Sequence, residues 1–264
     1  MARQKGLIRL LGRIGNVTFY EKNGETYARL SEGIDGDLIK TDRRFRRTRE
    51  NMAEFGGAAQ AGKALRRALP EIFQTFGNGR VAARLTAVMR RIIGRGPGDR
   101  GQRALEVVAQ KTAIVGFHPD PQFPLAEAFS GTYALSTNTD RNEVTASIDA
   151  FDPDVRVRAP RGTTHLRLVL GIGALSDHLY DAQEEGYVPA DPALTNVGAT
   201  VRSAELPLNA PVAALDLVAA LPGAPVIGAD AGVIVALGIE FVQEVNGSFY
   251  LLEDGNAMTL VDVV

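Results

Sequence analysis

The chain has 264 residues, of which 45% are hydrophobic and 23% charged, proportions typical of a folded globular protein rather than a disordered or fibrous one. It contains no cysteine and only three histidines, so disulfides, thiolate metal sites and a cysteine nucleophile are excluded. This length favours two domains.

The net charge of −2 conceals two halves of opposite sign. Residues 1–111 contain 23 Lys and Arg against 11 Asp and Glu, whereas residues 112–264 contain 6 against 20. A basic half suits nucleic acid, an acidic surface or the acidic half of a second copy, because opposite fields steer association. The alternative is that both halves are solvated surfaces of one subunit.

The first thirty residues predict strands. Val17–Tyr20 and Glu25–Arg29 are rich in β-branched and aromatic residues, and Asn23-Gly24 between them is a strong hairpin signal. Leu7–Leu11 predicts an earlier strand. A lone hairpin is marginal in water, so this one is expected to pack on its own helices or on another subunit.

Targeting and membrane signals are weak. The apolar stretch Leu7–Leu11 is interrupted by Arg9, unlike a secretory signal, and no run approaches the ~18 apolar residues of a spanning helix. The sequence therefore predicts a cytoplasmic protein with no membrane insertion. Release, or export that uses no N-terminal signal, stays open.

Three helices are predicted before residue 111. Residues 31–47 predict an irregular, polar stretch that ends in an arginine run. Residues 48–69 and 78–94 carry apolar side chains at helical spacing, the first starting at Thr48 as N-cap. A pattern like a capping box at Asp99 predicts a third helix. Several glycines and alanines in the first helix indicate a close approach to another helix.

After about residue 115, short apolar or alternating runs separated by Pro, Gly, Asn and Asp predict an antiparallel β-sandwich of jelly-roll or Ig-like type. The predicted strands are Thr132–Ser136, Val144–Ile148, Val155–Arg158, His165–Leu170, Ala199–Ala204, Leu215–Leu221, Val233–Phe241, Ser248–Leu252 and Thr259–Val263. Asn246-Gly247 predicts a hairpin turn, Leu179–Val197 a long loop and Gly171–Gly173 a bend.

These elements predict an α+β fold in two domains. The first, residues 1–115, is a basic region with an N-terminal β-hairpin and about three α-helices. The second, residues 116–264, is an acidic β-sandwich.

No residue pattern predicts catalysis, a cofactor or a metal ion. Asp149, Asp152 and Asp154 lack the glycine and closing glutamate of a calcium loop, which favours a turn between strands. His165 on a predicted strand favours a structural role, and no serine lies in a nucleophile elbow. We therefore expect a protein that is not an enzyme.

Several segments spread along the chain carry a family resemblance. They are Met1–Gly6, Gly12–Tyr20 with the pattern Gly-x-Ile-Gly-x-x-Thr-Phe-Tyr, Arg47–Gly56, Ala159–His165, Leu237–Phe241, and Val245-Asn246-Gly247 with Tyr250. Over nearly its whole length the chain resembles a bacterial protein family marked by these segments. No activity is established for that family, so the resemblance implies no catalytic residue.

The sequence predicts a structural protein that self-assembles into a homopolymer such as a filament, tube or shell. The arm Met1–Tyr20 would add a strand to a neighbour's sheet edge, and basic residues would contact the acidic domain of the next copy, a heterologous contact that propagates. The predicted interface residues are Arg3, Lys5, Leu7, Ile8, Val17, Phe19, Tyr20, Arg43, Arg44, Phe45, Arg46, Arg47, Arg49 and Phe55.

Two alternatives belong to other functional classes. A nucleic-acid-associated protein would hold phosphates with Arg43–Arg49 and the helical region. A β-sandwich that binds a ligand such as carbohydrate is disfavoured by the absence of tryptophan. The sequence leaves open the symmetry and cargo of an assembly, and whether the hairpin pairs within its own chain.

Overall fold

The computed structural model describes residues 2–5, 9–30 and 36–264, and the chain divides into two units, Met1–Arg49 and Glu50–Val264. The predicted boundary between residues 115 and 116 does not coincide with this division. The reason is that apolar residues of the helices after residue 50 share one core with strands of the C-terminal half. Part of the predicted strand Leu7–Leu11 lies outside the described residues.

Helices and antiparallel sheets are both present, which confirms a mixed helix-and-sheet fold. The helices are α1 (Gly36–Thr41), α2 (Arg46–Ala68), α3 (Pro70–Thr75), α4 (Val81–Arg95), α5 (Leu125–Ala128) and α6 (Pro153–Arg156). Short 3-10 helices cover Arg43–Phe45, Lys111–Ala113 and Pro192–Leu194. Among the described residues, no helix combines the length and the apolar character needed to cross a bilayer.

The strands are short except for two long ones in the second unit. They are β1 (Ala2–Arg3), β2 (Gly12–Ile14), β3 (Val17–Lys22), β4 (Glu25–Leu30), β5 (Tyr133–Thr137), β6 (Glu143–Ile148), β7 (His165–Ser176), β8 (His178–Asp181), β9 (Gly186–Pro189), β10 (Gly198–Arg202), β11 (Leu206–Pro207), β12 (Leu215–Ala220), β13 (Ala231–Val245), β14 (Ser248–Leu251) and β15 (Ala257–Val263).

The first unit contains a four-stranded antiparallel sheet in the order β1-β4-β3-β2. The predicted hairpin at Asn23-Gly24 is confirmed, and its two turn residues have φ values of 55° and 77°, as a type I′ turn requires. The hairpin therefore pairs within its own chain. Its register places Ile14, Val17 and Leu30 side by side on one face of the sheet.

The second unit is built around a sheet with the order β10-β7-β13-β14, to which β11 and β15 add through β7 and β13. Along β7, Leu166, Leu168 and Ile172 share a core with the three-stranded sheet β12-β6-β5. The alternate residues Val169 and Leu175 share the other core with α2, α3 and α4. Burial of both faces explains why β7 and β13 are almost continuously apolar.

Gly171 and Gly173 lie within β7 and do not form the predicted bend. They sit on the face of the sheet that packs on the helices, because a Cβ at Gly173 would lie 2.9 Å from Cγ of Leu69, and one at Gly171 3.0 Å from Cγ1 of Ile72. The two glycines provide space for the end of α2 and for α3.

The predicted third helix is absent, and residues 97–110 form turns and an extended bridge. The amide of Gly101 and the guanidinium of Arg103 donate to the carboxylate of Glu54, at 2.8–2.9 Å. Leu105 exchanges two backbone hydrogen bonds with His178, at 2.9 and 3.0 Å. These long-range partners override the local helical pattern.

Four other predicted elements differ from the structure. The stretch 31–47 includes α1 and a 3-10 helix in its described part, and α2 begins at Arg46 rather than after Thr48. The predicted strand Val155–Arg158 overlaps α6, because Asp152 accepts a hydrogen bond from the amide of Asp154 and begins a helical turn there. The predicted loop Leu179–Val197 contains the β8–β9 hairpin.

Glycine to alanine substitution at positions 56 and 57 is expected to have opposite effects. A Cβ at Gly57 would lie 2.4 Å from Cγ of Tyr187, whose hydroxyl donates to the carbonyl of Arg103 at 2.8 Å. We expect Gly57→Ala to lower the free energy of unfolding by about 1–3 kcal/mol through overpacking.

A Cβ at Gly56 meets nothing within 4 Å, so Gly56→Ala is expected to raise the free energy of unfolding by up to about 1 kcal/mol through helix propensity. Urea denaturation of both variants measures the difference. Equal stabilisation by the two substitutions would contradict the packing of Tyr187 on Gly57.

Candidate interaction surfaces

The hairpin formed by the end of β13 and by β14 is exposed at its tip. The predicted hairpin turn at Asn246-Gly247 is confirmed, and its φ values of 53° and 81° fit a type I′ turn. Every residue of β14 is exposed. The large apolar side chains exposed there are Val245, Phe249, Tyr250 and Leu251.

β14 presents an open edge, because among the described strands it pairs with β13 alone. A two-residue hairpin closes on a hydrogen-bonded pair, here Val245 and Ser248, so Phe249 and Leu251 direct their backbone N–H and C=O groups outward. The amide of Leu252 donates to the carbonyl of Phe241 at 2.8 Å. This bond fits the same alternation, in which every second residue after Ser248 faces β13. No lysine, proline or bulge protects this edge.

The surroundings of this hairpin carry negative charge. Residues 203–264 contain eight Asp and Glu and neither Lys nor Arg, and Glu244, Glu253 and Asp254 belong to the hairpin or follow it directly. The ring of His165 packs edge-on against Phe249 with centroids 4.9 Å apart, and its Nε2 lies 4.0 Å from the carboxylate of Glu244. His165 thus supports the base of the hairpin.

The first unit offers an open edge of opposite charge at β2, which pairs only with β3 among the described strands. This unit contains 12 Lys and Arg against 6 Asp and Glu. Arg9 and Arg13 are exposed, while Leu11 and Ile14 expose 65% and 62% of their surface. The β2 edge therefore combines basic and exposed apolar side chains.

The predicted interface residues of the arm take different positions in the first unit. Arg3 lies in β1 and forms an ion pair with Glu25, and Lys5 is exposed. Val17 and Phe19 are half-buried on one face of the sheet. Tyr20 lies on the other face, with its ring 5.9 Å from that of Tyr27 and beneath the guanidinium of Arg29. Leu7 and Ile8 lie outside the described residues.

Arg44 and Arg49 of the predicted basic run have partners inside the first unit. Arg44 forms a bidentate pair with Asp42, and these hydrogen bonds hold the pKa of that carboxyl below its ordinary value. Arg49 donates to the carbonyls of Ile39 and Asp42 at 2.7 and 2.9 Å.

The other residues of the run remain on the surface of the first unit. Arg43, Arg46 and Arg47 are exposed, and Phe45 is half-buried. Phe55 belongs to the second unit, where it lies exposed on α2 with Met52.

The exposure of this apolar hairpin was not predicted from the sequence. Ser248–Leu251 resembles a core strand because it lacks alternation of polar and apolar residues. The available signals were the turn Asn246-Gly247 at the end of a long apolar run and the absence of any basic residue after Arg202.

The aspartates near residue 150 have structural partners. Asp152 begins α6, and the amide of Asp149 donates to the carbonyl of Thr132 at 3.1 Å. In the described part of the chain, no group of three or more His, Asp and Glu side chains is placed to hold a metal ion.

Comparison of the chain with protein-family models, curated proteins and solved structures gave no match. The bacterial family resemblance therefore stays a prediction based on the segments named above.

Proposed function

We propose that this chain is a non-enzymatic structural protein whose copies associate head to tail. The β2 edge of one copy adds to the β14 edge of the next and extends its sheet across the interface. The observation that carries this proposal is the open edge of β14, which is largely apolar, exposed along its length and free of lysine, proline and bulges. No cofactor or metal takes part in this function.

A second copy is the occupant that suits the β14 edge, because each chain carries an edge of opposite charge. Arg9 and Arg13 flank or occupy β2, and Glu244, Glu253 and Asp254 surround β14. Opposite fields steer two such edges together and disfavour pairing of like edges. The contact joins two different surfaces, so it propagates as a ring or as a helical filament.

The strand that is donated differs from the one expected from sequence. Residues of the arm in β1, β2 and β3 already pair in the sheet of the first unit. Addition through the open edge of β2 requires no unpairing, whereas release of the whole arm Met1–Tyr20 would break those ladders. In this mode of association the arm therefore stays folded in the sheet of its own chain.

We also propose that residues 116–264 form an antiparallel β-sandwich of jelly-roll or Ig-like type. The support is the core that β12-β6-β5 shares with one face of the central sheet, which includes Ile148, Leu217, Leu237 and Phe241.

Substitution of Leu251 by proline tests the association. Proline removes the outward N–H of β14 and leaves the ladder with β13 in place, since that N–H faces away from β13. The neighbour's carbonyl would lose its partner, so we expect the concentration needed for assembly to rise about tenfold or more. Light scattering and negative-stain electron microscopy at low and high salt measure assembly.

Leu251→Val is the matched control, because it keeps the N–H and an apolar side chain, and we expect it to assemble like the wild type. Thermal unfolding verifies that both variants fold. A wild-type protein that stays monomeric at high concentration and low salt would refute self-association. Assembly of Leu251→Pro at the wild-type concentration would refute the β14 edge as its site.

A further inference from the structure

A cleft of about 370 Å³ lies between α4 and residues 112–118 in the second unit. Along α4 it is lined by Arg84, Val88, Arg91 and Arg95, whose spacings of four, three and four residues place them on one helix face. Thr112 and His118 lie among the residues of the opposite wall. No aspartate or glutamate lines the cleft.

The three guanidinium charges of this cleft are not balanced by carboxylates of the described chain. Arg84 donates to the carbonyls of His118 and Pro119, at 2.6 and 3.0 Å, and lies over the ring of Phe117 at 4.8 Å. Arg91 and Arg95 form no hydrogen bond or ion pair with any described residue. Arg91 and Arg95 lie four residues apart, where like charges destabilise a helix, although Arg95 in the last turn of α4 also offsets the negative end of the helix dipole.

Most backbone amides of the loop wall are occupied by acceptors of the chain. The amides of Ala113, Ile114, Gly116 and Phe117 donate to carbonyls of the chain at 2.8–3.0 Å. A ligand in the cleft would therefore be held mainly by side chains. The side chains with unused donors include the guanidinium groups of Arg91 and Arg95 and the hydroxyl of Thr112, and the amides of Thr112 and His118 are not among the occupied ones.

We propose that this cleft binds a small phosphorylated ligand, with Arg91 and Arg95 as its direct contacts and Arg84 as a fixed positive charge beside it. Guanidinium groups match phosphate oxygens in bidentate geometry. A diphosphate carries enough negative charge to balance three cations, whereas one carboxylate does not. The volume lies in the range of small-molecule sites and equals that of about twelve water molecules, so a nucleic-acid duplex does not fit inside.

Titration calorimetry with inorganic pyrophosphate at constant ionic strength tests the site. We expect the wild type to bind, and Arg91→Gln/Arg95→Gln to bind at least about tenfold more weakly, because two charge-assisted hydrogen-bond donors are lost. Both side chains are exposed, and a thermal unfolding curve verifies the fold of the variant. Arg156→Gln/Arg158→Gln removes the same charge from exposed positions outside the cleft and should bind like the wild type.

Four outcomes would overturn the proposal. They are no binding of pyrophosphate by the wild type, equal binding by the cleft variant, binding of citrate as tight as that of pyrophosphate, and binding of a DNA duplex without binding of pyrophosphate. Either of the first two results would show that pyrophosphate does not bind in this cleft. The third would show that the cleft does not prefer phosphate groups, and the fourth would indicate a nucleic-acid surface. This proposal does not rest on self-association, so the two can fail separately.

Discussion

Replacing Glu54 with alanine is expected to lower the free energy of unfolding by about 3 kcal/mol, the low end of the range for a broken buried ion pair. The carboxylate of Glu54 is 0% exposed and accepts from the amide of Gly101 and the guanidinium of Arg103 at 2.8–2.9 Å, and it lies 2.7 Å from Arg90. Its removal leaves the guanidinium groups of Arg90 and Arg103 without this carboxylate, although Arg103 still donates to the carbonyl of Gly94 and both keep some access to water.

The pH dependence of this contribution has a defined sign. Burial raises the pKa of Glu54, but the hydrogen bonds from Arg103 and Gly101 and the charge of Arg90 outweigh it, so the pKa lies below its ordinary value. The stabilisation is therefore present at neutral pH and is lost as pH falls through the pKa of the folded state. We expect the difference between wild type and Glu54→Ala to shrink in acid.

Glu71→Ala is the control for this prediction, because that carboxylate pairs with Arg202 at 2.9 Å but is 60% exposed. We expect a loss of at most about 1 kcal/mol. Urea denaturation at neutral and acidic pH compares the two variants. Equal losses at neutral pH, or a Glu54 effect independent of pH, would contradict the account of the buried pair.

Replacing Phe241 with alanine is expected to lower the free energy of unfolding by about 3–5 kcal/mol. Phe241 is 0% exposed and lies in the core between the central sheet and the three-stranded sheet. Eight residues later in the same hairpin, Phe249 is 38% exposed and contacts His165. Phe249→Ala should cost about 1 kcal/mol or less.

The two phenylalanines should also differ in their effect on assembly. Phe249 lies on β14, so Phe249→Ala should weaken association at a stability close to that of the wild type. Denaturation and light scattering on the same samples separate the two effects. A large stability loss in Phe249→Ala, or a small one in Phe241→Ala, would contradict the assignment of one ring to the core and the other to the surface.

The sequence predicts elements well where the deciding interaction is local. Both Asn-Gly hairpins form as predicted, because a type I′ turn needs positive φ at two adjacent positions. Helix α4 follows its apolar stripe. The third predicted helix fails because Glu54, which engages Gly101 and Arg103, lies 47 residues or more away in the chain.

The division of the chain and the candidate surface depend on tertiary structure. The pattern of α2 continues across position 49, so nothing local marks the boundary between the two units. β14 is exposed because it lies at the edge of the central sheet. The four residues of β14 are apolar or small, and they do not reveal where the sheet ends. The opposite charges of the two halves can be counted in the sequence. The strand order is needed to show that charged residues of opposite sign lie at the edges of β2 and β14.

Cysteine cross-linking between copies tests head-to-tail association most directly, because the natural chain has no cysteine and gives no background. One variant carries Arg13→Cys in β2 and the other Leu251→Cys in β14, because both residues direct their backbone N–H and C=O groups outward and can face each other in an antiparallel ladder. Adjacent strands bring such residues within the 4.4–6.8 Å between Cα atoms that a disulfide spans. Under mild oxidation we predict cross-linked dimers that contain one chain of each variant when the two are mixed at low salt. Absence of mixed dimers at concentrations where the wild type assembles would contradict the pairing of β2 with β14.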